Sequence, residues 1–191
     1  MSFPDKSMST RKGNILKLED VLDAAVRRAD ALIAEHGSEV EGKEREELAE
    51  MMGVGAFVFA VLSQNRKHNL IFTWEKALTF EGMSGPYLQY THARARSVLR
   101  KGGIQHVAFP SQIASLETQE VRLLRTLARF PRVLDEARAD AMPHKLSQYL
   151  YTLCQNFNAF YNALPILDAG EQKQSLRLAL TELSADVLKV G

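Results

Sequence analysis

Only one cysteine, Cys154, stands in the 191 residues, and it lies in an apolar helical stretch. No internal disulfide and no cysteine-built zinc site can form, so a small core residue in a reducing compartment is expected. No run approaches the ~18 apolar residues of a membrane span. Met1-Ser2-Phe3-Pro4-Asp5-Lys6 lacks the apolar core of a signal peptide. A cytoplasmic chain without a membrane partner is therefore expected. The formal net charge of +1 advertises no polycation, so any surface for nucleic acid must come from local clustering. No pair of alternating segments is joined by a hairpin turn, and no repeat is visible. His36, His68, His92, His106 and His144 are scattered, and no acidic pair has metal-ligand spacing. Neither a nucleophile–base–acid set nor a metal site can be assembled.

What is present is a globular composition: 46% apolar and 25% charged residues, which supports a core and excludes general disorder. Residues 1 to 17, with Pro4 and Gly13, read as a polar, basic loop. Helical spacing then starts near Leu18 and runs to His36-Gly37. A second helix follows a charged stretch, with an apolar part Leu48, Met51, Met52, Gly55, Phe59 and Leu62. Gly53 and Gly55 inside it imply close packing by a neighbour. Thr73 is placed to cap a brief helix containing Trp74. Pro86 to Lys101, stopped by Gly102-Gly103, has proline at its start and glycine past its end. Further helices are expected over about Glu117 to Arg129, then to about Arg138, and from Gln172 to Leu188. The clearest begins at Pro143, where Leu146, Tyr149, Leu150, Leu153, Phe157, Phe160, Tyr161 and Leu164 recur at offsets of three and four. The expected fold is an all-α bundle.

Three segments hold potential chemistry. Ser7-Met8-Ser9-Thr10-Arg11-Lys12-Gly13-Asn14 joins two cations, hydroxyls and a glycine, a combination that suits a polyphosphate, although basic terminal loops are usually just solvated. On the helix from Pro86, Tyr87, Tyr90 and Arg94 fall at i, i+3 and i+7 on one face. Two phenol rings and a guanidinium suit splayed single-stranded bases, and tyrosines at this spacing equally suit a core boundary. Arg94, Arg96, Arg100 and Lys101 occur without an intervening acid, as a backbone-tracking stretch would. Of the arginine series Arg122, Arg125, Arg129 and Arg132, the first three share a face opposite Leu123, Leu124 and Leu127, and the series reads most simply as a solvated helix surface.

Together these segments resemble arginyl-tRNA synthetases of class I. Met8-Ser9-Thr10-Arg11-Lys12-Gly13-Asn14 is similar to that family's K-M-S-K-S loop. Ser7 and Thr10 stand where the general motif has lysines. Gly53-Val54-Gly55-Ala56 with Leu62-Ser63-Gln64-Asn65-Arg66 resembles the link between catalytic core and anticodon domain. Phe80-Glu81-Gly82 and Gly85-Pro86-Tyr87-Leu88-Gln89-Tyr90 form the most specific match. Phe130-Pro131, Pro143-His144-Lys145-Leu146, Tyr149-Leu150-Tyr151 and Phe157-Asn158-Ala159-Phe160-Tyr161 continue it in order.

The resemblance implies a helical bundle of the DALR anticodon-binding type. It divides the chain into a catalytic-domain remnant (1–17), a connecting helical segment (18–72) and an anticodon-binding domain (73–191). It implies that Ser9, Arg11 and Lys12 act on the pyrophosphate leaving group when ATP activates arginine. It also implies that Tyr87, Tyr90 and Arg94 bind the anticodon of tRNA(Arg). Every arginine codon has a central guanine, so a domain reading the central anticodon cytosine would serve all arginine acceptors. ATP with Mg2+, arginine and tRNA(Arg) are the partners implied for the whole enzyme. No cofactor is expected for this chain alone, and no DNA partner. H-I-G-H, the other class I signature, is missing, so the chain by itself is expected not to form arginyl-tRNA. The alternative is a free-standing tRNA-binding module derived from a synthetase.

Overall fold

The computed structural model describes residues 17–35, 40–69, 71–104, 106–110, 113 and 115–191. Among them are eight helices and no extended strand, as the all-α expectation requires. They are α1 (Leu18–Glu35), α2 (Gly42–Leu62), α3 (Trp74–Ala77), α4 (Gly85–Lys101), α5 (Thr118–Ala128), α6 (Phe130–Ala139), α7 (Pro143–Ala163) and α8 (Glu171–Val190). The chain divides into two units, Met1–Tyr87 and Leu88–Gly191. Ser9, Arg11 and Lys12, with the rest of the K-M-S-K-S-like loop, lie outside the described residues.

In the first unit α1 and α2 form an antiparallel pair. A Cβ built on Gly53 would stand 2.6 Å from the Ala25 carbonyl oxygen, so the two backbones nearly touch there. Farther along, Arg45 Nε donates to Asp30 Oδ1 at 2.5 Å. The sequence placed Leu48, Met51 and Leu62 on the apolar part of α2, yet these are exposed. Of the expected apolar part Met52 is buried, on a face completed by Ala49, Gly53 and Ala56. Close backbone approach at Gly53 selects a face of small side chains, with Met52 the one long side chain on it. Thr73 does occupy the position before α3, but its side chain makes no capping bond. Its Oγ1 is buried without a hydrogen-bond partner. Phe72, buried beside it, packs edge-on against Phe57 and Trp74 at centroid distances of 5.5 and 4.8 Å.

The second unit is built around α7. Leu153, Cys154, Phe157 and Phe160 are fully buried, and Leu153, Phe157 and Phe160 share one core with Leu123 of α5 and Leu176 and Leu180 of α8. Burial pushes the Cys154 thiol up to about 12, consistent with an inert core residue. One member of the expected apolar stripe departs from it: Tyr161 is 39% exposed. α4 ends in a Schellman motif. The Ile104 N–H donates to the Leu99 carbonyl at 2.9 Å, and the Gly103 N–H donates to the Arg100 carbonyl at 3.0 Å. Gly103 has φ +67°, the left-handed position that favours glycine. This stop leaves Arg100 and Lys101 on the final turn.

Gly53→Ala should destabilise the chain by about 1–3 kcal/mol, because the added methyl meets rigid backbone and forces α1 away from α2. Thermal unfolding followed by circular dichroism measures this, and an unchanged midpoint would show that the helices yield freely.

Candidate nucleic-acid interface

α4 is started by Ser84, whose hydroxyl the sequence reading did not use. Ser84 Oγ accepts from the Tyr87 N–H at 3.2 Å and donates to the Thr79 carbonyl at 2.5 Å. A hydroxyl at this position satisfies one of the amide donors left open at a helix start. Gly85 is required beside it, since a Cβ there would stand 2.9 Å from Ala56 Cα. Tyr87 lies in the first unit and is half-buried.

Tyr90 and Arg94 lie in the second unit and meet residues of α7. Arg94 Nη2 donates to Tyr90 Oη at 2.8 Å, and Nη1 donates to Asn158 Oδ1 at 2.6 Å. Asn158 Nδ2 in turn donates to the buried Thr91 hydroxyl at 3.1 Å, which fixes the amide orientation. The guanidinium carbon stands 4.7 Å from the Tyr90 ring centroid and 4.9 Å from that of Tyr161. Arg94 is thus held between two phenol faces, each within cation–π range. Tyr90 remains 48% exposed, so the rings are not sealed into the core.

This cluster forms one end of a cleft of about 820 Å³. Arg100 and Lys101 line it, and Leu164 to Asp168 form its opposite wall. Three cations therefore face one lining carboxylate, Asp168. The basic stretch foreseen on α4 is divided by the helix: Arg96 points away from the cleft and approaches Asp186 at 3.9 Å. Tyr87 is not among the lining residues. Two residues that the sequence reading did not choose, Asn158 and Tyr161, complete the cluster. Their signal was present in Phe157-Asn158-Ala159-Phe160-Tyr161, where a phenol and an amide follow a run of core aromatics.

The far wall is held by an ion pair in the core. Glu120 is fully buried, and its carboxylate accepts from Arg177 Nε at 2.8 Å, Lys173 Nζ at 3.0 Å and the Glu117 N–H at 2.7 Å. The last bond belongs to a capping box that starts α5. Arg177 Nη1 also donates to the Pro165 carbonyl at 2.7 Å, fixing the wall segment. Burial alone would raise the Glu120 carboxyl. The Glu117 amide, Arg177 and Lys173 together outweigh it and hold the group below its ordinary value.

Among the described residues no group of three or more His, Cys, Asp or Glu side chains could hold a metal ion. No helix there is long and apolar enough to cross a membrane.

Comparison with known proteins then decides the family. Residues 88–191, the whole second unit, match the DALR anticodon binding domain. The chain belongs to that family. Residues 2–74 match the catalytic domain of class I (R) tRNA synthetases. The arginine–tRNA ligase of Actinobacillus succinogenes is 40% identical over 186 residues, covering 97% of this chain and 32% of that protein. The arginine–tRNA ligase of Alteromonas mediterranea is 40% identical over 188 residues, covering 97% of this chain and 33% of that protein. The structure of Thermus thermophilus arginyl-tRNA synthetase is similar with a TM-score of 0.85 and 35% identity, covering 97% of this chain and 31% of that one. The resemblance read from the motifs is borne out, and the chain spans about a third of the length of these relatives.

A folded-state carboxyl below its ordinary value contributes stability above that ordinary value, and the contribution is lost as pH falls through the lowered one. The native chain should therefore lose stability increasingly below about pH 4.5, the reference value for glutamate. Glu120→Gln should cost about 3 kcal/mol at neutral pH, since it leaves Arg177 buried without its counter-charge. It should also remove the acid-dependent component. Urea unfolding of both proteins at pH 7 and pH 4 measures the difference.

Proposed function

We propose that this chain is the anticodon-reading portion of an arginine–tRNA ligase and that the cleft between α4 and α7 receives anticodon bases of tRNA(Arg). The observation that supports this most strongly is Arg94, clasped by Tyr90 and Tyr161 at a solvent-open, cation-rich cleft. Exposed aromatic faces stack unpaired bases, and a guanidinium fork supplies donors to a base edge. Nη1 and Nη2 each spend one donor on Asn158 and Tyr90, and the fork's other N–H groups have no protein partner among the described residues. Cytosine presents N3 and O2 as acceptors on its Watson–Crick edge, which suits such a donor. Arg100 and Lys101 then offset charge on the adjoining phosphates. Tyr87, on the turn of α4 before Tyr90, supports the same strand from outside the cleft.

On this proposal residues 1–17 belong to the catalytic domain, 18–72 connect, and 73–191 serve anticodon binding. Ser9, Arg11 and Lys12 act on the polyphosphate of ATP, with Mg2+, in the whole enzyme. Arginine and ATP are bound by a catalytic domain to which this chain contributes only its end, in the cytoplasm where tRNA is charged. The match of residues 2–74 to a catalytic domain favours this over a free-standing binding module.

The test is equilibrium binding to a tRNA(Arg) transcript and to one with the central anticodon cytosine replaced. The native chain should prefer the first at both 50 and 200 mM salt. Tyr90→Ala should weaken binding by about 1–3 kcal/mol, the loss of one stacked base. Arg94→Lys should erase the preference for cytosine. Equal affinity of the native chain for both transcripts would defeat the assignment.

A further inference from the structure

Arg122, Arg125 and Arg129 lie on α5 and its C-cap, all exposed. Their offsets of three and four residues put them within about 60° of one another around the helix, over a rise of about 10 Å. Among the described residues none of them has a carboxylate partner. The contrast with α6 is direct. There Arg132 Nε pairs with Glu136 at 2.7 Å and Arg138 lies 4.0 Å from Asp135. α5 offers no such relief, because its one carboxylate, Glu120, is turned inward to Arg177 and Lys173. Like charges at these offsets destabilise a helix. The C-terminal end of α5 offsets part of this repulsion at Arg125 and Arg129, and among the described residues no carboxylate relieves the rest.

The stripe borders the side of α5 that faces α7. Thr126, one turn after Arg122, receives Asn156 Nδ2 on its hydroxyl at 2.8 Å and Tyr149 Oη on its carbonyl at 3.0 Å. α7 thus carries Asn156 to α5 and Asn158 to the Arg94 cluster of α4. The two basic surfaces are tied to one rigid helix. Three guanidiniums on one line, with no aromatic ring stacked on them among the described residues, match a string of phosphates rather than a base.

We propose that Arg122, Arg125 and Arg129 form a second RNA-contacting surface that grips the sugar–phosphate backbone without regard to sequence. This rests on the reading of the cleft as the base-binding site of the same RNA. Point charges set along a backbone add affinity and orient the RNA, and only the cleft discriminates bases.

The full 191-residue chain, with helicity checked by circular dichroism, is titrated with the same two tRNA transcripts across a salt series. Replacing the three arginines together by glutamine should lower the slope of log affinity against log salt by about two to three. The loss should be equal for both transcripts, leaving the cytosine preference intact. Arg→Lys at the three positions should restore most of the slope. An unchanged slope and affinity in the glutamine variant would overturn the proposal while leaving the cleft assignment standing. A reduced slope with no cytosine preference in the native chain would sustain the stripe and defeat the cleft. Absence of binding by the native chain even at 50 mM salt would defeat both.

Discussion

The second unit depends on the buried carboxylate of Glu120. A charge taken out of water is tolerable only when its lone pairs are met, and here an arginine, a lysine and a backbone amide meet them. One side chain therefore starts α5, fastens α8 to it and, through the second arm of Arg177, fixes the Pro165 carbonyl. The apolar contacts of the segment after α7 come from Leu164, Ile166 and Leu167. A second tie, from Gln174 Nε2 to the Leu167 carbonyl, acts in the same direction. The cleft has a firm wall because the core behind it contains a satisfied ion pair.

The opposite wall is built differently. Arg94 binds Asn158 and Tyr90 and lies between two rings, so it is a strut between α4 and α7 as well as a proposed contact to RNA. A guanidinium suits both tasks because its planar fork donates in several directions while its faces accept aromatic packing. Lysine would keep the charge and lose the geometry. The same preorganisation limits side-chain ordering when a base arrives.

Helix positions were largely legible in the sequence because their punctuation is local. Pro143 opens α7, Gly102-Gly103 closes α4, and the three–four spacing of Leu153, Phe157 and Phe160 marks a buried face. Errors arose where a neighbour decides. Leu48, Met51 and Leu62 are apolar side chains of α2 left exposed, because contact with α1 at Gly53 buries the face of Ala49, Met52, Gly53 and Ala56. Thr73 has the right type for a cap, but its hydroxyl finds no amide. Ser84, unremarked in the sequence, does the capping for α4.

The proposed site divides in the same manner. Tyr90 and Arg94 could be paired from the sequence, since one helix turn relates them whatever surrounds α4. Asn158 and Tyr161 could not, because they are more than sixty residues from Arg94 in the chain and meet it only when α7 packs against α4. The family and the all-α fold were legible in the sequence alone, through periodicity and motif order, as was the stretch of α4 proposed to carry the site. Which residues face the cleft, which arginines are neutralised and which carboxylate is hidden were decided by tertiary packing. Burial and charge pairing are properties of the space between helices, and that space does not exist until they pack.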